Sequence, residues 1–125
     1  MTRQVLAVDL RDDPKAIATY REYHERVWPE VLDSLRIAGV ERMDIHLLGR
    51  RLVMIVDLRD GADFARAFGE RIASSPRVAE WEQLMRSLQE RIPGSPADAW
   101  WAPMENVFTF NGNGARGSGG KGPHE

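Results

Sequence analysis

The pentapeptide Val8-Asp9-Leu10-Arg11-Asp12 returns 48 residues later as Val56-Asp57-Leu58-Arg59-Asp60. Each copy closes a short, β-branched aliphatic run, Val5-Leu6-Ala7-Val8 in the first case and Leu52-Val53-Met54-Ile55-Val56 in the second, and such runs read as buried strands. A helix-start signal follows each copy. Asp13 can cap a helix whose first residue is Pro14, where the missing N–H is harmless, and Asp60 can cap a helix from Ala62 to Ala73. Each half therefore opens as strand, Asp-containing turn, helix.

The rest of the chain completes both halves. Ile17, Tyr20, His24, Val27 or Trp28, Val31 and Leu35 recur at spacings of three and four, an apolar stripe interrupted by one histidine, and Pro29 should bend or divide the helix that carries it. Gly39 ends that helix. Val40–Leu48 alternates as a strand, Gly49-Arg50 makes a turn, and Arg51–Leu58 returns as the hairpin partner. Phe64, Phe68 and Ile72 form a second stripe. After Ser75-Pro76 restarts the helix, Val78, Trp81, Met85, Leu88 and Ile92 form a third, which Pro93-Gly94 stops. Glu105–Phe110 supplies a last strand. The order β-α-β-β-α-β predicts an α+β, ferredoxin-like fold, one antiparallel four-stranded sheet with helices on one face. The open face of such a sheet predicts a homodimer.

Six of the eleven glycines lie in residues 111–125, where no side chain larger than alanine is aliphatic or aromatic. Such a segment buries too little apolar surface to offset its ordering entropy, so residues 2–110 are expected to form a single domain and 111–125 a disordered tail. With 17 basic and 19 acidic side chains the net charge is −2, and no basic cluster suits a phosphate backbone; nucleic acid is a poor partner. The absence of cysteine removes disulfides, thiolate nucleophiles and Cys-ligated metals. Neither a secretory signal nor a run long enough to span a bilayer is present, which points to a cytoplasmic protein away from the membrane.

Chemistry concentrates in one helix. His24 follows Tyr20 by one turn and precedes Trp28 by another, and Tyr20 and Tyr23 are the only tyrosines of the chain. Polar groups converging on a core-facing stripe suggest a lined cavity, in which burial would lower the histidine pKa unless an acidic neighbour supports the cation. Asp44 and His46 share one face of a strand, with Arg42 beside them; Met43, Ile45 and Leu47 share the more apolar one. If the Asp44 face is covered by helices, these residues meet His24; otherwise they are solvated or at a dimer contact. No metal-ligand spacing joins the histidines. Trp81 sits on the third stripe with Glu82 turned about 100° away, and one of the adjacent Trp100 and Trp101 should cover a pocket or a subunit contact. There is no nucleophile elbow, phosphate-cradling loop or dinucleotide fingerprint. General acid/base chemistry on a small neutral molecule such as a sugar remains, and it needs no cofactor.

The run Tyr20-Arg21-Glu22-Tyr23-His24-Glu25-Arg26-Val27-Trp28-Pro29-Glu30 resembles the L-rhamnose mutarotase family, and the likeness continues through Gly39, the hairpin, Trp81, the Pro-rich loop and Glu105-Asn106-Val107-Phe108. The resemblance implies a dimeric α+β barrel that interconverts the anomers of 6-deoxy sugars. It implies His24 as proton donor, and Tyr20 and Trp81 as sugar contacts. Glu82 stands where the family has a second tryptophan, Met43 replaces a tyrosine of the second strand, and His46 replaces a further tyrosine. These changes at sugar-contacting positions favour L-fucose slightly over L-rhamnose, with Asp44, Glu82 and His46 as candidates for a second proton carrier or a hydroxyl clamp. Two other functions suit the same fold: a cofactor-independent monooxygenase, and a non-catalytic dimer that binds a small ligand.

Overall fold

The computed structural model describes residues 1–112. The elements run β1 (Thr2–Leu10), α1 (Pro14–Tyr23), α2 (Pro29–Ile37), β2 (Val40–Leu48), β3 (Arg51–Leu58), α3 (Phe64–Ser74), α4 (Pro76–Leu88), β4 (Gln89–Glu90) and β5 (Ala102–Pro103). β3 pairs antiparallel with β1 on one side and β2 on the other, and the far edge of β1 takes up both β4 and β5. This is the expected antiparallel α+β, ferredoxin-like arrangement.

Period-two alternation sorts the sheet into two faces. Leu6, Val8 and Leu10 of β1 and Leu52, Met54, Val56 and Leu58 of β3 are buried beneath the helices. Val8, Leu10 and Leu52 pack against Tyr20, Val31, Trp81 and Met85, while Leu6, Met54, Val56 and Leu58 pack against Phe64. The register Met43↔Val56, Ile45↔Met54 and Leu47↔Leu52 brings the apolar side of β2 to the same face.

Local chemistry sets the helix ends. Asp13 accepts the Lys15 backbone N–H at 3.0 Å with Pro14 in the first turn, as expected. Ser75 likewise accepts from Val78 N at 3.4 Å ahead of Pro76. Three boundaries differ from the sequence expectation. The first helix is divided, one of the two outcomes expected of Pro29, but it already ends at His24: the residue preceding a proline is driven out of the helical region, Trp28 is extended at ψ 138°, and Pro29 opens the second helix. The cap of α3 is Asp63, which accepts from Arg66 N at 3.3 Å, while Asp60 pairs with the N-terminal amine. Finally, α4 ends at Leu88 because Gln89-Glu90 turns extended to pair with Leu10 and Asp9.

The strand expected at Glu105–Phe110 does not form. Its place beside β1 is taken by Ala102–Pro103, which pairs with Ala7 and Leu6, and Val107, Phe108 and Phe110 are exposed at 87%, 73% and 78%. One copy of the chain offers these three side chains no apolar surface. Of the expected tail, residues 111–125, the part from residue 113 onward lies outside the described residues. Among the described residues no helix is long and apolar enough to cross a membrane.

Candidate active site

A cavity of about 560 Å³ opens between the helices and the inner face of the sheet, within the range of small-molecule sites. Its floor is Met43, Ile45 and Leu47 of β2 with Leu52 and Met54 of β3; α1 contributes Tyr20, and His24 follows at that helix's end. Phe68 and Arg71 come from α3, Trp81, Glu82 and Met85 from α4, and Trp101 from the segment before β5. A broader groove of about 880 Å³ between α2 and α3 has neither histidine nor aromatic side chains in its lining.

His24 caps α1. Its Nδ1 lies 2.8 Å from the Tyr20 carbonyl oxygen, which can only accept, so Nδ1 carries the proton and the neutral ring keeps its lone pair on Nε2. The imidazole stacks on Tyr20 at 4.2 Å between ring centroids and meets Trp81 edge-on at 5.4 Å. Trp81 is in turn held edge-to-face by Tyr23 at 6.0 Å and Trp28 at 5.1 Å. Burial pushes the His24 pKa below its ordinary value, and the hydrogen bond to Tyr20 only partly opposes this. The ring is therefore neutral at pH 7, with its lone pair on Nε2.

Tyr20 and Glu82 respond to the same dry environment. Burial, and after it the Glu82 carboxylate, pushes the Tyr20 hydroxyl far up, so it stays protonated and can donate. Burial raises the Glu82 carboxyl above its usual range, opposed by Arg71 and Arg86. Arg71 is 6% exposed; its Nε donates to Ser34 Oγ at 2.9 Å, and its Nη1 stands 3.7 Å from Glu82 Oε2.

Of the residues singled out in the sequence, His24, Tyr20, Trp81, Glu82 and Met43 all line this cavity. Asp44 and His46 do not. They pair with Ile55 and Val53, so the pleat sends them to the opposite, outer face, where Arg42 Nε holds Asp44 Oδ2 at 2.9 Å. Their expected role in the sugar site is corrected accordingly: the whole sheet separates them from His24. Arg71 was not anticipated, although a signal existed, since it falls on the Phe64–Phe68 stripe at helical spacing. Trp101 lines the cavity, whereas Trp100 turns its indole N–H to Gln89 Oε1 at 2.8 Å. Among the described residues no three His, Asp or Glu side chains gather as a metal ion would require.

A family model described as L-rhamnose mutarotase matches residues 3–110. An L-fucose mutarotase of Xanthomonas campestris pv. campestris is 37% identical over 113 residues, 89% of this chain and 90% of that protein. A UPF0734 protein of Dictyostelium discoideum is 36% identical over 105 residues, 82% of this chain and 84% of that one. In fold, the crystal structure of an L-rhamnose mutarotase from Formosa agariphila superposes with a TM-score of 0.63 at 22% identity, covering 89% of this chain and all of the other. The chain belongs to the L-rhamnose mutarotase family and is a sugar mutarotase.

Proposed function

We propose that the enzyme interconverts the anomers of a 6-deoxy-L-hexose, L-fucose in preference to L-rhamnose, and that His24 moves the protons. The observation that carries this reading is the Nδ1–H of His24 tied to the Tyr20 carbonyl, which assigns the lone pair to Nε2 in a largely apolar cavity. Nε2 takes the proton of the anomeric hydroxyl. The C1–O electrons form the aldehyde as the bond from C1 to the ring oxygen breaks, and the imidazolium returns its proton to that oxygen. Rotation of the aldehyde and the reverse sequence on its other face give the second anomer. Protons balance within the substrate and no redox step occurs. The position of His24 at the C-terminus of α1 favours its transient positive charge.

Trp81 offers an aromatic face to the C–H side of the ring, and the protonated Tyr20 hydroxyl donates to a sugar oxygen. The preference for L-fucose rests on Met43 and Glu82. The two sugars differ in hydroxyl configuration, and a site that pairs particular hydroxyls penalises an epimer by leaving a buried group unpaired. Loss of one pairing implies that L-fucose exchanges at least about tenfold faster than L-rhamnose. Saturation transfer between the α and β H1 signals of each sugar tests this. Faster exchange of L-rhamnose removes the fucose preference; no exchange above the buffer rate on either sugar removes the enzymatic reading and leaves a ligand-binding protein.

A second copy of the chain is proposed as the macromolecular partner. Val107, Phe108 and Phe110 lie exposed beyond β5, and the outer face of the sheet carries Val5, Val53 and Ile55. Light scattering should give twice the 14.2 kDa chain mass; a monomer at the concentrations used for exchange would refute the dimer.

A further inference from the structure

Among the described residues Arg71, Arg91 and Ser95 each keep a buried side-chain polar atom without a hydrogen-bond partner, and of these Arg71 lines the cavity. Its side chain is almost entirely buried, it stacks over Phe68 with the guanidinium carbon 4.9 Å from the ring centroid, and its Nε is spent on Ser34. Ser34 is itself fixed, donating its hydroxyl to the Val31 carbonyl at 2.7 Å. That leaves Nη1 buried with no hydrogen-bond partner, and the carboxylate it pairs with electrostatically, Glu82 Oε2, stands 3.7 Å away. A buried guanidinium beside a buried carboxylate ordinarily closes to a direct bond of about 2.8 Å. Here the pair stays open by about 1 Å, and both side chains line the sugar cavity.

The open pair has a definite chemistry. An oxygen atom at about 2.8 Å from both Nη1 and Oε2 fits the gap, subtending an angle of roughly 80° between them. It must accept a hydrogen bond from the guanidinium and donate one to the carboxylate. A hydroxyl group does both; an ether oxygen cannot donate, and an ammonium group cannot accept. The ring oxygen of a pyranose is thereby excluded, and a ring hydroxyl is selected.

We infer that Arg71, oriented by Ser34, and Glu82 form a donor–acceptor clamp that reads one hydroxyl of the sugar ring. The inference rests on the mutarotase reading of the cavity and assigns Arg71 a specificity role in it. Glu82 shares the cavity lining with Arg71 from α3 and with Tyr20 and His24 from α1, and the positive charges of Arg71 and of Arg86 on its own helix oppose the effect of burial on its carboxyl. It suits hydroxyl binding when ionised. The clamp also gives a reason for Glu82 to be acidic: a tryptophan there would leave the buried guanidinium with no counter-charge.

The test is a set of cycles between protein variants and monodeoxy sugars. Binding of L-fucose and its 2-, 3- and 4-deoxy analogues is followed by intrinsic tryptophan fluorescence, and exchange by saturation transfer on the same samples. In the parent, removal of one hydroxyl should weaken binding at least about tenfold. Arg71→Met and Glu82→Gln should each abolish the discrimination at that one position and leave it intact at the other two. A role in folding alone would weaken all analogues alike. Retention of the parent discrimination at every position in either variant overturns the clamp. If Arg71→Met does not fold, Ser34→Ala, which frees the guanidinium, and Glu82→Gln decide the question by the same criterion. Exchange that fails in the parent while the binding cycle holds refutes the mutarotase reading and not the clamp.

Discussion

Replacing His24 with asparagine separates the proton-transfer role of the residue from its structural one. The amide of asparagine retains a donor for the Tyr20 carbonyl, which the imidazole contacts at 2.8 Å, but has no group able to accept a proton near neutrality. What is lost structurally is the ring stacking at 4.2 Å on Tyr20 and the edge contact at 5.4 Å on Trp81. Aromatic pairs contribute about 0.5–1.5 kcal/mol each, so the variant should lose about 1–3 kcal/mol and stay folded, with Tm lower by roughly 5–15 °C. Catalysis should fall much further, since a positioned acid/base group contributes roughly 10²–10⁴-fold. The pH profile carries the sign of the argument. The reacting form is neutral His24, whose pKa burial holds below 6.5, so kcat/KM of the parent declines with a midpoint beneath pH 6.5. Because the folded state then binds fewer protons than the unfolded one, His24 also costs stability as pH falls through that window, and the Tm gap between parent and variant should narrow. Saturation-transfer rates on L-fucose from pH 5 to 8 check both. A variant rate within about threefold of the parent, or a parent decline with its midpoint above pH 6.5, would refute the assignment.

The remaining expectations concern the frame around the site. Gly39 has φ +94°, and an added Cβ would stand 3.0 Å from the Ala62 Cβ, so Gly39→Ala should destabilise by about 1–3 kcal/mol in a denaturant titration; an unchanged midpoint would contradict this. Asp57 is held below the ordinary carboxylate range first by its hydrogen bond from Arg3, so it contributes stability that is present above pH 3.8 and lost as pH falls through its folded pKa. Asp57→Asn should accordingly lower Tm at neutral pH more than at pH 3, and an equal loss at both would argue against a role for the charge. Removal of residues 113–125 should leave Tm and sugar exchange unchanged, and a large drop in either would overturn the single-domain boundary near residue 110.

Signals local in the chain translated directly into structure. The caps at Asp13 and Ser75, each followed by proline, and the hairpin through Gly49 depend on neighbouring residues only. The tyrosine–histidine pair on the first helix found the cavity because a polar group on an apolar stripe must be compensated nearby. What was not legible depended on contacts distant in sequence. Alternation along Val40–Leu48 defines two faces without saying which the helices cover, and only the pairing with β3 turns Met43 inward and Asp44 and His46 outward. Arg71 needed three elements at once: Ser34 on α2, Phe68 on α3 and Glu82 on α4. Glu105–Phe110 has strand composition, but composition counts for little where one copy of the chain leaves the segment nothing to pack against.

The repeated pentapeptide acquires a physical reason from the sheet. Asp9 and Asp57 project from its outer face, and each accepts two hydrogen bonds from an arginine directly across the β1–β3 ladder. Arg51 Nε and Nη2 reach Asp9 at 2.7 and 3.2 Å, and Arg3 Nε and Nη2 reach Asp57 at 2.7 and 3.0 Å. The two forks close the two ends of one antiparallel pair, Asp9↔Arg51 and Arg3↔Asp57. Each lies next to a fully buried leucine of the same pentapeptide, Leu10 or Leu58. A slip of the register by one residue would carry both carboxylates into the helix-covered face without their arginines, and both leucines out to water. The arginines of both pairs are exposed, at 60% and 51%, over carboxylates that are themselves covered, so the pairs add modest net stability; a carboxylate buried without its arginine is strongly penalised, and the repeat acts mainly against the wrong register. That register sets Leu52 and Met54 in the floor of the cavity opposite His24. The two copies of the motif, on the far side of the sheet from the cavity, thus hold its floor in place.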